Sequence, residues 1–180
     1  MNIEYYTAYE NHLITTDFFK NLLINEKILK YIDGVEWENS YQTNLMAEMS
    51  SWNIQHSLIT EITDWVISSL IESRPHLNAI NYSYHVHEVW IARYSKNDCA
   101  YNHSHATYPF SFVYFVNAPE NSSPLCFSES NLNISAESGK LVIFPGNLKH
   151  YVAPNMSENR VVIAGNIIIL NVDEYIHKKS

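Results

Sequence analysis

Gly139-Lys140-Leu141-Val142-Ile143-Phe144-Pro145-Gly146-Asn147-Leu148-Lys149-His150 reads as a strand, a tight Pro-Gly-Asn turn and a second strand that opens on His150. The apolar run is too short for a helix, and Pro-Gly is a strong turn signal. Ten residues further on stands Arg160, the only arginine after Arg93. A hairpin turn centred near Asn155 predicts antiparallel pairing with Arg160 opposite His150, their Cβ atoms about 5 Å apart. A guanidinium inside a β-sandwich is costly unless it meets an anion, and it grips carboxylates bidentately. A metal-ligating His150 beside a buried Arg160 therefore predicts a small carboxylate ligand reaching from one to the other. The competing reading is an edge Arg160 paired with Glu158 at the surface.

Outward from this stretch the pattern remains β-like. Tyr84–Tyr94, Phe110–Asn117, Pro124–Ser128, Lys140–Phe144, His150–Ala153 and Arg160–Asn171 are rich in β-branched and aromatic residues, with turn-rich stretches between them. Strands at this spacing predict a sandwich or barrel. The last strands are apolar on both faces, as expected where helices cover one sheet from outside. The first third reads as helical. One helix is predicted over Thr16–Ile32, with Phe18, Leu22, Leu29 and Ile32 on one face and Phe19, Leu23 and Ile28 widening it. Thr16 or Asp17 would cap it, and Gly34 would end it in a left-handed conformation. A second helix is predicted over Asn53–Ser73, with Ile54, Leu58, Ile62, Trp65, Val66 and Leu70 on one face and Pro75 beyond its end. Residues 35–50 carry no clear signal. Without repeats or linkers, the expectation is one domain over 1–180: a helical support region, 1–80, and a β core, 81–172.

Composition narrows the partners. The chain has 180 residues, 46% of them apolar and 17% charged, which suits a globular domain with one core. Eleven basic against nineteen acidic residues give a net charge of −8. That balance argues against an anionic membrane surface or a long nucleic-acid footprint, both of which need basic patches. The N-terminus lacks a signal-peptide pattern, and no apolar run reaches the length of a membrane span. Cys99 and Cys126 are too few and too far apart for a disulfide framework or zinc knuckle. A cytoplasmic protein with reduced thiols is the expectation.

Nine histidines are many for this length. His12, His56, His76 and His177 fall on expected helix surfaces, loops or the tail. His85 and His87 share one strand face, where solvent-facing roles compete with a second metal site. His103-Ser104-His105 differs: in an extended segment residues i and i+2 point the same way, so two imidazoles stand side by side, a bidentate arrangement for a transition metal. A surface His-x-His loop is the bland alternative.

Together these residues resemble the iron(II)- and 2-oxoglutarate-dependent oxygenases, most nearly short members found in phages and bacteria. The resemblance runs over residues 84–170: Trp90 on a strand, Asn102-His103-Ser104-His105, the Tyr-bearing strand Ser111–Val116, Gly139 to Pro145, His150-Tyr151-Val152-Ala153-Pro154, and Arg160. It implies a mainly β fold with N-terminal helices: a double-stranded β-helix (jelly-roll) core flanked by helices on one sheet. It also implies iron(II) held by His103 and His150, and 2-oxoglutarate held through its distal carboxylate by Arg160, helped by Tyr94 or Tyr114. O2 would be the second co-substrate, and the reaction hydroxylation of a C–H in a protein side chain or small molecule. His105 stands where many relatives carry a carboxylate. It would be the third ligand, with Asp98 or Glu129 as alternatives, and Val162 replaces a serine common in relatives. Trp90, Tyr101, Tyr108 and Phe112 would border the substrate mouth. A phage member would work in the host cytoplasm, and oligomeric state stays open. Two rivals remain: a cupin-like dioxygenase without 2-oxoglutarate, which gives Arg160 no role, and a non-enzymatic β-sandwich that binds a ligand.

Overall fold

The computed structural model describes residues 3–8, 11–16, 22–39, 43–73 and 82–171. In chain order the elements are β1 (Ile3–Ala8), β2 (Asn11–Thr16), α1 (Leu22–Ile32), β3 (Glu38–Asn39), β4 (Leu45–Met46), β5 (Glu48–Met49) and α2 (Ser57–Ser73). There follow β6 (Tyr82–Tyr94), β7 (Cys99–His103), β8 (Phe110–Asn117), β9 (Leu125–Phe127), β10 (Leu132–Ile134), β11 (Leu141–Pro145), β12 (His150–Val152) and β13 (Arg160–Asn171). They form an eight-stranded sheet, β1-β2-β11-β8-β13-β6-β5-β3, and a five-stranded sheet, β10-β9-β12-β7-β4. The fold is mainly β: a double-stranded β-helix core with the two helices against the larger sheet.

Period-two alternation explains the layers. Along β8, Phe110, Phe112, Tyr114 and Val116 face the helices, whereas Val113 and Phe115 face the smaller sheet. Along β13, Val161, Ile163 and Ile167 join the helix side, and Val162 and Ala164 the inter-sheet side. Both faces are buried, hence the doubly apolar strands. Ile24, Ile28 and Ile32 of α1 and Ile59, Ile62, Val66 and Leu70 of α2 supply the other half of the outer core.

Several sequence expectations need correction. Thr16 lies in β2, and α1 begins only at Leu22. The buried stripe runs through Ile24 rather than Leu23, which is 51% exposed; Phe18, Phe19 and Asp17 lie outside the described residues. No left-handed glycine ends α1 among the described residues, since the positive-φ glycine is Gly139. The helix exits through Gly34 N–H to Tyr31 O at 3.2 Å and Val35 N–H to Ile32 O at 3.1 Å. The first third is not wholly helical, because β1 and β2 form a hairpin whose second strand pairs with β11. Tyr, Ile and Thr in these two segments suit that edge.

The second helix starts at Ser57, four residues after the expected Asn53. Asn53 is left-handed (φ 58°), and the Leu58 N–H donates to His56 Nδ1 at 3.2 Å, so His56 caps the helix. Pro75 lies outside the described residues. Residues 43–49, silent in the sequence, bridge the layers: β4 pairs with β7 in one sheet and β5 with β6 in the other.

The predicted hairpin of His150 and Arg160 does not form. β12 pairs with β7 and β9, whereas β13 pairs with β6 and β8, so the connection crosses from one sheet to the other. Asn155, fully buried, fixes the crossing. Its Nδ2 donates to Ser157 O at 2.7 Å and its Oδ1 accepts from Ser123 N–H at 3.0 Å. Its backbone N–H donates to Asp98 O and its carbonyl accepts from Asn97 N–H, both at 2.7 Å.

Candidate metal centre and buried-arginine pocket

His103 closes β7 and His150 opens β12, and the antiparallel ladder sets these two residues directly opposite. His105 sits in the loop that follows β7. That loop is clasped to the Pro145–Leu148 turn: His105 N–H donates to Gly146 O at 2.7 Å, and Gly146 N–H to Pro109 O at 3.2 Å. A Cβ on Gly146 would lie 2.7 Å from the His105 carbonyl oxygen and still nearer that of Tyr108, so the clasp requires glycine.

The three imidazoles converge, with one ligand atom from each within 4.8 Å of the others. Ring centroids are 4.3 Å apart for His103 and His150, 5.0 Å for His103 and His105, and 5.3 Å for His105 and His150. The Nδ1 of His103 lies 2.6 Å from Tyr101 O, and that of His150 lies 2.9 Å from Leu148 O. A carbonyl only accepts, so each Nδ1 carries the proton and each Nε2 keeps its lone pair for a metal. Burial lowers the pKa of His103. Burial and then the neighbouring His103 bring His105 down to about 4 and His150 to about 3. All three are neutral at pH 7, the form that binds metal.

Neither suggested carboxylate substitute joins them. Asp98 accepts from the Ser95 N–H at 2.7 Å in the turn between β6 and β7, and Glu129 pairs with Lys149 at 3.5 Å. The cluster holds histidines alone.

Arg160 reaches the same pocket from the opposite sheet, between the layers rather than along a hairpin. It is 1% exposed. Its Nε donates to Ser123 O at 3.2 Å, and the guanidinium lies 4.5 Å from the Tyr94 ring centroid and 5.2 Å from that of Phe115. Its Nη1 is buried with no hydrogen-bond partner, and no carboxylate pairs with it among the described residues. Glu158, the surface partner considered above, accepts instead from the Lys96 N–H at 3.3 Å. A buried cation with an orphaned donor marks a place for an anion. The donor set fits a small dicarboxylate: a forked cation at one end and three neutral imidazoles for a chelated metal at the other.

Tyr94 borders the pocket, and burial raises its pKa although Arg160 opposes this. Tyr114 does not border it. Its hydroxyl donates to Asn25 Oδ1 at 2.5 Å, and its ring meets Trp65 edge-on on the helix side of β8. Of these two tyrosines the structure therefore sets only Tyr94 at the pocket, because the phase of β8 turns Tyr114 toward the helices. Trp90 borders the pocket, Phe112 touches its lining from the helix-facing phase of β8, Tyr108 packs near His87, and Tyr101 is 59% exposed. Val162 lines the wall one rung above Arg160. Three polar residues escaped the sequence reading: Glu88, Ser111 and Asn166. Their signal was phase, because Asn166 continues the inward series Arg160, Val162, Ala164.

No protein-family model matches the sequence, and no curated protein matches it. Solved structures do match in fold. The viral collagen prolyl hydroxylase vCPH from Paramecium Bursaria Chlorella virus-1 superposes with a TM-score of 0.67 at 16% identity, over 86% of this chain and 94% of that one. A prolyl-4-hydroxylase from Pseudomonas putida gives 0.66 at 15% identity, over 87% and 91%. HygX from Streptomyces hygroscopicus, solved with nickel and 2-oxoglutarate bound, gives 0.63 at 10% identity, over 86% and 82%. At these identities the likeness is one of fold: the chain has the double-stranded β-helix architecture found in 2-oxoglutarate- and iron(II)-dependent oxygenases.

Proposed function

We propose that this chain is an iron(II)- and 2-oxoglutarate-dependent oxygenase of the hydroxylase type, akin to the short phage and bacterial members whose pattern its sequence resembles. One observation carries the reading. The fully buried Arg160, its Nη1 without a partner, and a convergent set of three neutral imidazoles share one pocket between the sheets. In this reading His103, His105 and His150 hold the iron, and Arg160 with Tyr94 holds the distal carboxylate of 2-oxoglutarate. Bound together, iron(II), 2-oxoglutarate and O2 supply oxidative decarboxylation to succinate and CO2, coupled to hydroxylation of a substrate C–H.

The chain's own residues bind, orient and exclude water. Arg160 fixes the register of the co-substrate through a charge-assisted fork, and its rigid setting against Tyr94 and Phe115 spares reorganisation. The backbone carbonyls of Tyr101 and Leu148 hold the protons of His103 and His150 away from the metal side. Val162, Ala92 and Leu125 keep the intervening space apolar, which strengthens every electrostatic contact inside. The substrate is a protein side chain or a small molecule, the compartment the cytoplasm, and the functional unit the single domain 1–180. A cupin-like reading leaves the buried guanidinium without purpose.

The test is calorimetry of 2-oxoglutarate binding to protein loaded anaerobically with iron(II). Arg160→Ala is expected to weaken binding by at least ~30-fold, the cost of about 2 kcal/mol or more for losing one partner of a buried charge pair, with metal affinity retained. Unchanged 2-oxoglutarate affinity would overturn the reading.

A further inference from the structure

Beyond the metal cluster, the inner face of the larger sheet ends in a rung of three polar residues. Asn166 on β13 pairs in register with Glu88 on β6 and with Ser111 on β8. Each continues the pocket-facing phase of its strand, after Ala164, Trp90 and Val113 respectively. Arg160 and Asn166 are six residues apart along β13, about 20 Å at the usual rise of a strand. The rung therefore lies at the opposite end of the inner face from the buried arginine. It is also the histidine end: Trp90 lies 6.3 Å from His105 between ring centroids, and Glu88 acts on His105 through its charge.

The hydrogen bonds of this rung run one way. Ser111 Oγ donates to Asn166 Oδ1 at 2.8 Å, and Asn166 Nδ2 donates to Glu88 Oε2 at 2.8 Å. Ser111 and Asn166 are 2% and 1% exposed, so the string is built into the wall, whereas Glu88 at its end is half-buried. The Ser111 hydroxyl proton and one Asn166 amide proton are spent along the string, and the residue at its open end can only accept. Glu88 takes part in none of the ion pairs among the described residues, which join Arg93 to Glu48, Lys140 to Glu137 and Lys149 to Glu129. Aromatic surface stands beside it. Trp90 follows in phase, and the half-exposed Trp52 meets Trp90 at 4.7 Å between centroids. A half-buried carboxylate without a cationic partner, in a wall that also carries Trp90, is a seat for a cation through charge pairing.

We propose that Glu88 selects the substrate, and that the substrate carries a cationic group, a protonated amine or a guanidinium, near the carbon that reacts. This deepens the oxygenase reading and rests on it for the reaction, but the recognition itself needs neither metal nor co-substrate. The net charge of −8 adds a favourable long-range field for such a ligand.

Matched probes test it. Blocked arginine (N-acetyl-arginine amide) is compared with its neutral isostere, blocked citrulline. Blocked lysine is compared with the same compound acetylated at Nζ. Binding is read from the intrinsic tryptophan fluorescence, to which Trp52 and Trp90 contribute, in metal-free protein and again with iron(II) and 2-oxoglutarate loaded anaerobically. Each cationic probe is expected to bind about tenfold more tightly than its neutral partner, and Glu88→Gln, which keeps an oxygen for Asn166, is expected to erase that difference. Equal affinity of the paired probes, no binding of either cation, or a preference that survives Glu88→Gln would overturn the proposal. Wild-type selectivity is read without any variant. Failure to load iron or 2-oxoglutarate would instead count against the oxygenase reading, leaving the metal-free comparison to decide the role of Glu88.

Discussion

The tautomers of His103 and His150 follow from the carbonyls their Nδ1 atoms face, so both present Nε2 to the pocket with no change of proton. Their neutrality has a consequence for stability. In the unfolded chain each imidazole titrates near 6.5, but in the folded chain burial holds all three lower. Between those values the unfolded chain binds more protons, so stability falls as pH falls. Urea denaturation of the metal-free protein is expected to show a steady loss from pH 7 to pH 5, flatter in His150→Gln. A level profile in the wild type would show that these rings are not buried neutral. Gly146→Ala should also act locally. Its Cβ would collide with the carbonyls of Tyr108 and His105, and relieving that overlap costs about 1–3 kcal/mol. The His105 loop is what must move, so metal affinity, measured by competition with a chelator, should fall together with stability. At this scale the sequence was informative where spacing reports geometry. His103 and His105 at i and i+2, and His150 after a Pro-Gly turn, meet as that spacing implied. Tyr114 was unreadable, because β8 is apolar on both faces and nothing in its pattern says which face holds the pocket.

Elements position these residues through the two cores. α1 and α2 seal the outer face of the larger sheet, and the inner face is left for chemistry. Leu70→Ala in α2 removes a fully buried side chain from the outer core, and a loss of about 2–5 kcal/mol is expected by urea denaturation, with 2-oxoglutarate affinity unchanged. Tyr114→Phe separates the two faces more finely. It deletes the bond to Asn25 on α1, which should cost about 1 kcal/mol and leave co-substrate binding untouched. Weakened 2-oxoglutarate binding in that variant would restore Tyr114 to the pocket. Most strands of the core were legible from alternation and turn residues; Phe110–Asn117 and Arg160–Asn171 fall where the pattern sets them. The β1–β2 hairpin was missed because six-residue strands at a sheet edge lack a distinctive period. The crossing of residues 153–159 was missed because a buried Asn155 looks like any turn asparagine until its partners are known.

For the whole molecule, the fold brings together residues that one strand pair could not. Arg160 and His150 stand on opposite sheets, so the distance between them is set by the packing of two layers rather than by a register. A co-substrate bridging them would tie the layers together and should raise thermal stability when metal is present. A single anaerobic titration asks whether it does bridge them: iron(II) is added first, then 2-oxoglutarate, while the visible spectrum is followed. The account predicts stoichiometric iron uptake, followed by a charge-transfer band of the chelated keto acid that appears only with 2-oxoglutarate and is lost in Arg160→Ala. Iron uptake without that band, or no uptake at all, would contradict it.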